Sequence, residues 1–539
     1  MRTKSKAWLL AALAVFLLMA AIFPAQASSD TLTGHQRQVL QQYAADTWQS
    51  FTALVDPDSG LPADNVSAVG VRSAFTSPTN IGVYIWSTLA ARDLSLVKAA
   101  EAEGRIAQVL DMLESMERHT PSGMFYNWYD PATGEKLTTW PVDGSPVYPF
   151  LSSVDNGWLA SALLILANTA KPGLRDRAAA LLNSMDFGCY YDPLARGPDL
   201  GAGLLRGGFW SEEDAPPYAT GFPRGDYCGM GGAVVYTSHH YGTLNTEPRI
   251  ASYIGIAMGQ VPPEHYFAMW RTFPETCDWG WPEMDPDGVT HTYLGIEVYE
   301  GHYRYRGMNI VPTWGGSMFE ALMVPLLVPE EEWGPLNWGI NHPLYVQAQI
   351  EHGLEEAQYG YWGFSPSNNP EGGYREFGVD PIGMEPNGYT SDLERTLVDY
   401  GFADPSGSGY CPGRDPQPLP AEYGQGVVTP HASFLALEFT PEAALENLAN
   451  LRTDFESYSW GGFFDAINIS NGEVSEYYLA LDQGMVMAAI HNALKNDRLQ
   501  HYFSRGIIEA SNPADPGDGG IHCRTLSVGI LSERPASSL

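Results

Sequence analysis

The chain has 539 residues, 63 of them acidic and 29 basic, for a formal net charge of −34 at pH 7. That balance excludes nucleic acid and anionic membrane as partners, because both select a basic footprint. It suits a neutral substrate, while 56 Gly and 40 Pro demand long loops and 12% aromatics supply rings for packing or for stacking on sugars.

The chain opens Met1-Arg-Thr-Lys-Ser-Lys-Ala7, runs apolar from Trp8 to Phe23 and reaches Ala25-Gln-Ala27. A basic start, a short apolar run and an A-x-A site predict a signal peptide over 1–27, and hence a secreted or periplasmic protein. The apolar run is short for a span of roughly 20 residues, so a membrane anchor is the lesser alternative. No Cys follows the cleavage point, which argues against a lipoprotein. The expected organisation is one large domain over 28–510 and a flexible tail over 511–539, whose aspartates read as a solvated turn.

Helical spacing predicts a helix over 35–55, ended by the turn Asp56-Pro-Asp-Ser-Gly-Leu-Pro62. Further helices are predicted over 80–100, 102–117, 152–170 (capped by Ser152 or Ser153), 172–186, 246–258, 315–328 and 342–357. Toward the C-terminus the pattern predicts helices over 430–437, 440–455, 476–495 and 497–508. There is no βαβ alternation, and only a few short strands are expected, near 123–140 and 230–237. The fold class is therefore all-α, and helix pairs arranged in a ring make an (α/α)₆ barrel with long loops. An α-solenoid is disfavoured because no repeat period is visible.

The cysteines, Cys189, Cys228, Cys277, Cys411 and Cys523, contain no C-x-x-C pair, which excludes a zinc ribbon. Two bridges with one thiol left over are possible, with the pairing open. His239, His240, His342 and His431 form no H-E-x-x-H pattern, and there is no G-x-S-x-G elbow, Walker A loop or dinucleotide fingerprint. Neither metal nor cofactor is expected.

Glycosidic cleavage needs two carboxyl groups facing across a pocket. Glu247 follows Thr246, read as an N-cap, and sits with Pro248 at a helix opening, where a carboxylate equally complements the helix dipole. Asp155 lies in the first turn of its helix beside Trp158, and the same two readings apply. The loop from Tyr361 to Gly378 is rich in aromatics and amides and offers Glu371 and Glu376. Glu320 stands in an otherwise apolar helix, where a buried acid needs a partner.

These segments together resemble a known group. Thr76-Ser-Pro-Thr-Asn-Ile-Gly82, Ser153-Val-Asp-Asn-Gly-Trp158 and Glu247-Pro-Arg-Ile-Ala-Ser-Tyr-Ile-Gly-Ile-Ala257 come first. Trp362-Gly-Phe-Ser365, Val428-Thr-Pro-His-Ala-Ser433, Gly462-Phe-Phe-Asp-Ala466 and Leu479-Ala-Leu-Asp-Gln-Gly484 follow in order. The sequence resembles the glucoamylase-like domain family that contains bacterial endo-β-1,2-glucanases (glycoside hydrolase family 144), and the helical domain of cyclic β-1,2-glucan synthases. The resemblance implies an (α/α)₆ barrel with its cleft at one end and Glu247 as general acid.

In synthase-type relatives a Glu follows the Ser of the Trp-Gly motif; here that place is Pro366. An inverting mechanism therefore fits better, with Asp155, Glu371 and Asp482 as candidates for the base. Trp158, Tyr241, Trp314, Glu320, Trp362, Asn368, Tyr374 and Gln483 are the expected substrate contacts. The segments 187–232 and 260–312 are distinctive and are expected to shape the cleft. The expected protein is a monomeric glycoside hydrolase acting on a neutral β-glucan, β-1,2-glucan first. A transglycosylase, a polysaccharide lyase on the same fold, or a non-catalytic glycan binder are the alternatives.

Overall fold

The computed structural model describes residues 32–505, apart from 199, 227, 229–232, 273–285, 385–423 and 425, and the backbone of 507–509 and 526–528. The expected leader at 1–27, most of the tail, and Cys277, Cys411 and Cys523 lie outside those residues. In chain order the helices are α1 (Gly34–Leu54), α2 (Pro78–Asp93), α3 (Ala99–Ser115), α4 (Ser153–Thr169), α5 (Pro172–Asn183), α6 (Arg249–Ala257) and α7 (Glu264–Ala268). Then come α8 (Met318–Leu322), α9 (Glu330–Trp333), α10 (Trp338–Glu351), α11 (Pro430–Leu435), α12 (Pro441–Asp454), α13 (Ala480–Lys495) and α14 (Arg498–Ser504).

Burial sorts these helices into two kinds. In α2 every residue from Pro78 to Ala91 is buried, and α6, α8 and α11 are buried throughout. Helices α4 and α13 are buried almost all round as well. By contrast α3 buries only Ala102, Ile106, Val109, Leu110 and Leu113, a one-sided stripe at helical spacing, and α5 and α12 behave alike. A helix apolar on all faces needs neighbours on all faces; a striped one covers a core and meets solvent.

The contacts follow from this. The enclosed helices touch in the order α13–α2–α4–α6 and α8–α11–α13, and Arg249 of α6 joins α8 by donating to the carbonyls of Glu320 and Ala321 at 3.0 and 2.7 Å. Each also pairs with an outer helix: α2 with α3, α4 with α5, α8 with α10, α11 with α12 and α13 with α1. For α6 the partner is α7, through Ser252 and His265 at 2.8 Å. Gly157 permits the close approach of α4 to α6, since a Cβ there would lie 3.0 Å from the backbone nitrogen of Ala251.

Short strands prepare the entry to the enclosed helices. Leu151–Ser152 leads into α4, His240–Tyr241 precedes α6, Thr313–Trp314 precedes α8, Val427–Val428 precedes α11 and Tyr477–Leu479 precedes α13. Asn65–Ser67 pairs antiparallel with Tyr477–Leu479, which seats the loop before α2 against the start of α13.

The chain is largely helical, as expected, but several details differ. Residues 477–479 are strand rather than the first turn of a helix, because they pair with Asn65–Ser67. The predicted helix 315–328 stops at Leu322 and continues as a tighter turn over Val324–Leu326, where Pro325 lacks the N–H an α-helix needs. Thr246 does not cap α6; its hydroxyl donates to Thr243 O at 2.9 Å, and Pro248 occupies the cap position.

More strand is present than expected. The strands 151–152, 208–211, 234–236 and 224–225 form one sheet in that order. Asp287–Tyr293 and Ile296–Tyr305 make a long hairpin extended by Met308–Ile310. Its second strand alternates buried and exposed positions over much of its length, a period-2 signal carried by Tyr, Val and Ile that Gly and charged residues partly mask in the sequence.

Candidate active site

The first turns of the enclosed helices carry polar groups that meet at one end of the fold. Ser77 caps α2 and Ser152 caps α4, each accepting a backbone N–H at 3.2 Å. Those caps fix the next side chains. Thr79 donates to Asp155 Oδ1 at 2.6 Å, and Asn80 donates to Asp64 Oδ1 at 2.9 Å. Asn127 completes the hold on Asp155: with its amide nitrogen facing the carboxylate it donates to Oδ2 at 2.7 Å, while its oxygen accepts from Trp128 Nε1.

Glu247 sits just before α6. Its Oε1 accepts the indole N–H of Trp158 at 2.5 Å, and its backbone N–H donates to Glu320 Oε2 at 2.7 Å. Ser317 caps α8 and thereby fixes Glu320. Burial, the adjacent Glu320 charge and Asp155 hold the Glu247 carboxyl well above the usual carboxylate range, against the opposing pull of Trp158 and Arg249. A carboxyl raised in this way favours its protonated form.

A second group shares with Glu247 an influence on Tyr374. Asp482, in the first turn of α13, is 4% exposed, and burial pushes it up to about 7, with Asp64 contributing to the rise. Asp465 and His431 lie against it, with His431 Nδ1 3.5 Å from Asp482 Oδ2. Asn368 donates its backbone N–H to Asp465 Oδ2 at 2.7 Å. On its far side, His431 Nε2 is 3.0 Å from Ser365 Oγ, which accepts from Phe319 N at 3.3 Å, one residue before Glu320. The ring of groups is thereby closed: Glu320, Glu247, Asp155, Asp64, Asp482, Asp465, His431 and Ser365.

The half-exposed Tyr374 lies between the two halves. Desolvation and the fields of Asp482, Asp465, Glu247 and Glu376 raise its phenol well above its ordinary value. Tyr241 is raised by burial and by Glu247, Asp155 and Glu320, and so flanks the acid's side. Six acidic side chains share one neighbourhood, several of them in or beside the first turn of a helix, where the N-terminal dipole favours negative charge. Burial with mutual repulsion raises Glu247, Asp155, Asp64, Asp482 and Asp465 toward their protonated forms.

Several expected contacts lie elsewhere. Trp158 is fully buried, so it presents no face to a sugar and acts instead as the donor that orients Glu247. Trp362 is buried in the core, its backbone bonded to Asn447. Gln483 is also buried; it donates to Phe463 O and faces Ser50 of α1. These three correct the expectation of substrate contact, because an indole or amide sealed inside the core cannot meet ligand. Trp314 packs with Tyr303 and Met384 in a small separate cluster. Glu371 stands exposed at the turn of the hairpin formed by Ser367–Asn368 and Tyr374–Arg375. A cavity of 190 Å³ lined by Leu244, Tyr266, Arg271 and Trp338 contains none of the ring's groups.

Sequence reasoning passed over Asp64, Asn80, Asn127 and Asp465. The signal for Asp465 was present: an acid in Phe463-Phe464-Asp465-Ala466-Ile467 is as isolated among apolar residues as Glu320.

The fold is that of the glucoamylase-like proteins: residues 286–506 match the family model called Glycoamylase, and residues 42–188 match a model described as a protein of unknown function, DUF3131. Among individual proteins, the chain is similar to the cyclic β-(1,2)-glucan synthase NdvB of Rhizobium meliloti, at 24% identity over 88% of this chain. It spans only 18% of that relative's length.

Three solved structures share the fold. The endo-β-1,2-glucanase from Chitinophaga pinensis, in complex with sophorotriose and glucose, has a TM-score of 0.57 at 15% identity, covering 88% of this chain and 95% of that one. The β-1,2-glucanase from Parabacteroides distasonis has a TM-score of 0.60 at 18% identity, with 88% and 58% covered. A variant endo-β-1,2-glucanase from Talaromyces funiculosus with β-1,2-glucan has a TM-score of 0.51 at 14% identity, with 88% and 92% covered.

Proposed function

We propose that the protein is an exported, inverting glycoside hydrolase that cleaves a neutral β-glucan, β-1,2-glucan first, and that its helix pairs close as an (α/α)₆ barrel around the cleft. The observation that carries this is the presence in one ring of a buried Glu247, aimed by Trp158 and held well above the usual carboxylate range, and of Asp482, raised to about 7. Glu247 gives its proton to the glycosidic oxygen as the bond to the anomeric carbon breaks. Asp482 takes a proton from the water whose oxygen bonds to that carbon.

Asp155, held by Thr79 and Asn127, is placed to accept from a sugar hydroxyl, with Tyr241 and Tyr374 as further contacts. Pro366, where synthase-type relatives carry a Glu, supports inversion over double displacement. The likeness to β-1,2-glucanases supports the linkage. Export is supported by the leader-like N-terminus and by the disulfide between Cys189 and Cys228, a bond suited to an oxidising compartment. No helix among the described residues is long and apolar enough to cross a membrane.

The test is incubation with β-1,2-, β-1,3-, β-1,4- and β-1,6-glucans, read by reducing ends and by NMR of the first anomer formed. Hydrolysis of the β-1,2 polymer with an inverted anomer is expected, and Glu247→Gln should lower it by about 10²–10⁴-fold. Longer or cyclic products would favour transglycosylation, the reading suggested by the synthase relative; an unsaturated product would mean a lyase. Glycan binding without turnover in the wild type would sink the enzymatic reading.

A further inference from the structure

Asp482 does not stand alone. Three side chains from three separate elements converge at it: His431 from α11, Asp465 from the strand entry before Ala466–Asn468, and Asp482 from α13. They are 3%, 2% and 4% exposed, and one ligating atom from each lies within 4.8 Å of the others. Each leaves one polar atom without a hydrogen-bond partner: His431 Nδ1, Asp465 Oδ1 and Asp482 Oδ2.

Two buried carboxylates this close cannot both be ionised without a compensating positive charge. The basic neighbour of Asp482 is His431, but burial drives that imidazole down to about 4, so it supplies no positive charge at pH 7. One proton shared between the carboxyls satisfies the orphaned oxygens and removes the repulsion. Its placement follows from the surroundings. Asp465 is the more enclosed, and burial followed by the charge of Asp482 holds its carboxyl well above the ordinary range. The charge of Asp482 reaches the half-exposed Tyr374, and a hydrogen bond from Asp465 pulls the Asp482 carboxyl back down.

We propose that Asp465 is a positioning residue: it carries the proton of the pair and donates it in a hydrogen bond to Asp482, while His431, anchored on Ser365, fixes the same carboxylate from the other side. This rests on the hydrolase reading, in which Asp482 takes the proton from water. The arrangement keeps one carboxylate of a buried pair ionised and aimed without spending a cation on it. The groups facing Asp482 are Asp465, His431, Asp64 and Tyr374, and of these Asp465 can donate strongly with a proton it retains at neutral pH.

Two measurements test it, and the first needs no substrate. The infrared difference spectrum of wild type minus Asp465→Asn at pH 8 should contain one protonated carboxyl band. A difference made only of carboxylate bands would overturn the proposal, whereas the band's presence in a protein inactive on every glucan would sink only the hydrolase reading. In the second, Asp465→Ala should move the acidic limb of kcat up by about one pH unit and lower kcat about 10–100-fold. Asp465→Asn, which keeps a donor, should restore most of both.

An unmoved limb in Asp465→Ala, or an Asp465→Asn as inactive as Asp482→Asn, would also overturn it; the latter would make Asp465 itself the base. The same three atoms suit a divalent cation. One equivalent of tightly held metal in the purified protein, with activity lost to chelator and restored by that metal, would replace the shared proton with a metal site. Thermal melts of each variant establish that it is folded.

Discussion

The indole N–H of Trp158 donates to Glu247 Oε1 at 2.5 Å from a ring with no exposed surface. That ring packs edge-on against Trp86, 5.8 Å away, and Trp86 is itself tied to Gly484 O at 3.1 Å. Helices α2, α4 and α13 thus meet at two indoles, and the outer end of that contact points at the acid. A donor locked by core packing holds its acceptor more narrowly than a loop side chain can.

Trp158→Phe keeps an aromatic ring in the core and removes the donor. Because the indole hydrogen bond lowers the Glu247 pKa, its loss raises that pKa and moves the alkaline limb of kcat/KM to higher pH. A fall in kcat of about 10–100-fold should accompany it, since the carboxyl is no longer aimed. An unchanged profile would show that the hydrogen bond does not guide the acid.

Glu320→Gln should move the same limb the other way. The amide oxygen can still accept the Glu247 backbone N–H, but the neighbouring negative charge is gone, and that charge raises the Glu247 pKa. The enzyme should lose its proton, and its activity, at lower pH than wild type. The two opposed shifts, measured on one substrate, separate the hydrogen bond from the field.

Stability should run against function at this site. The Asp482 carboxyl titrates near 3.8 when unfolded and about 7 when folded, so the native state prefers it protonated. Its contribution is fully present below pH 3.8 and is lost as the pH rises to about 7. Asp482→Asn removes that loss and should melt at a higher temperature than wild type at pH 8, while being inactive. Equal melting temperatures at pH 8 would contradict the burial of an ionised Asp482.

Arg249 and Glu330 form a bidentate pair with no exposed surface, with Tyr253 adding a hydrogen bond to Glu330. Arg249→Met leaves Glu330 buried and uncompensated and should cost about 3–5 kcal/mol in chemical denaturation. Arg249→Met combined with Glu330→Leu should recover a large part of that. Additive losses would mean that the two side chains contribute independently.

Much was legible before the fold was known. The enclosed helices announce themselves as long apolar runs behind a Ser or Pro start, as at Ser77-Pro78 and Ser152, and the striped ones by their spacing. Glu247, Asp155 and Asp482 were legible as acids in or just before the first turn of such helices. The aromatic contacts misled, because composition cannot distinguish a tryptophan that faces sugar from one, like Trp158 or Trp362, that seals a core. The strand at 477–479 was misread because its partner, Asn65–Ser67, is more than 400 residues away in sequence.

By itself, then, the sequence determined the helical class, the acidic surface and the acids at the helix starts, since these depend on local spacing and side-chain type. Only the tertiary structure decided which acids meet. Asp155 and Asp64 come together because α2 presents Thr79 and Asn80 to both, and Asp465 meets Asp482 through elements that pair only in the folded chain. Whether a carboxyl keeps its proton depends on its burial and on its neighbours' charges, and both exist only once distant segments have packed.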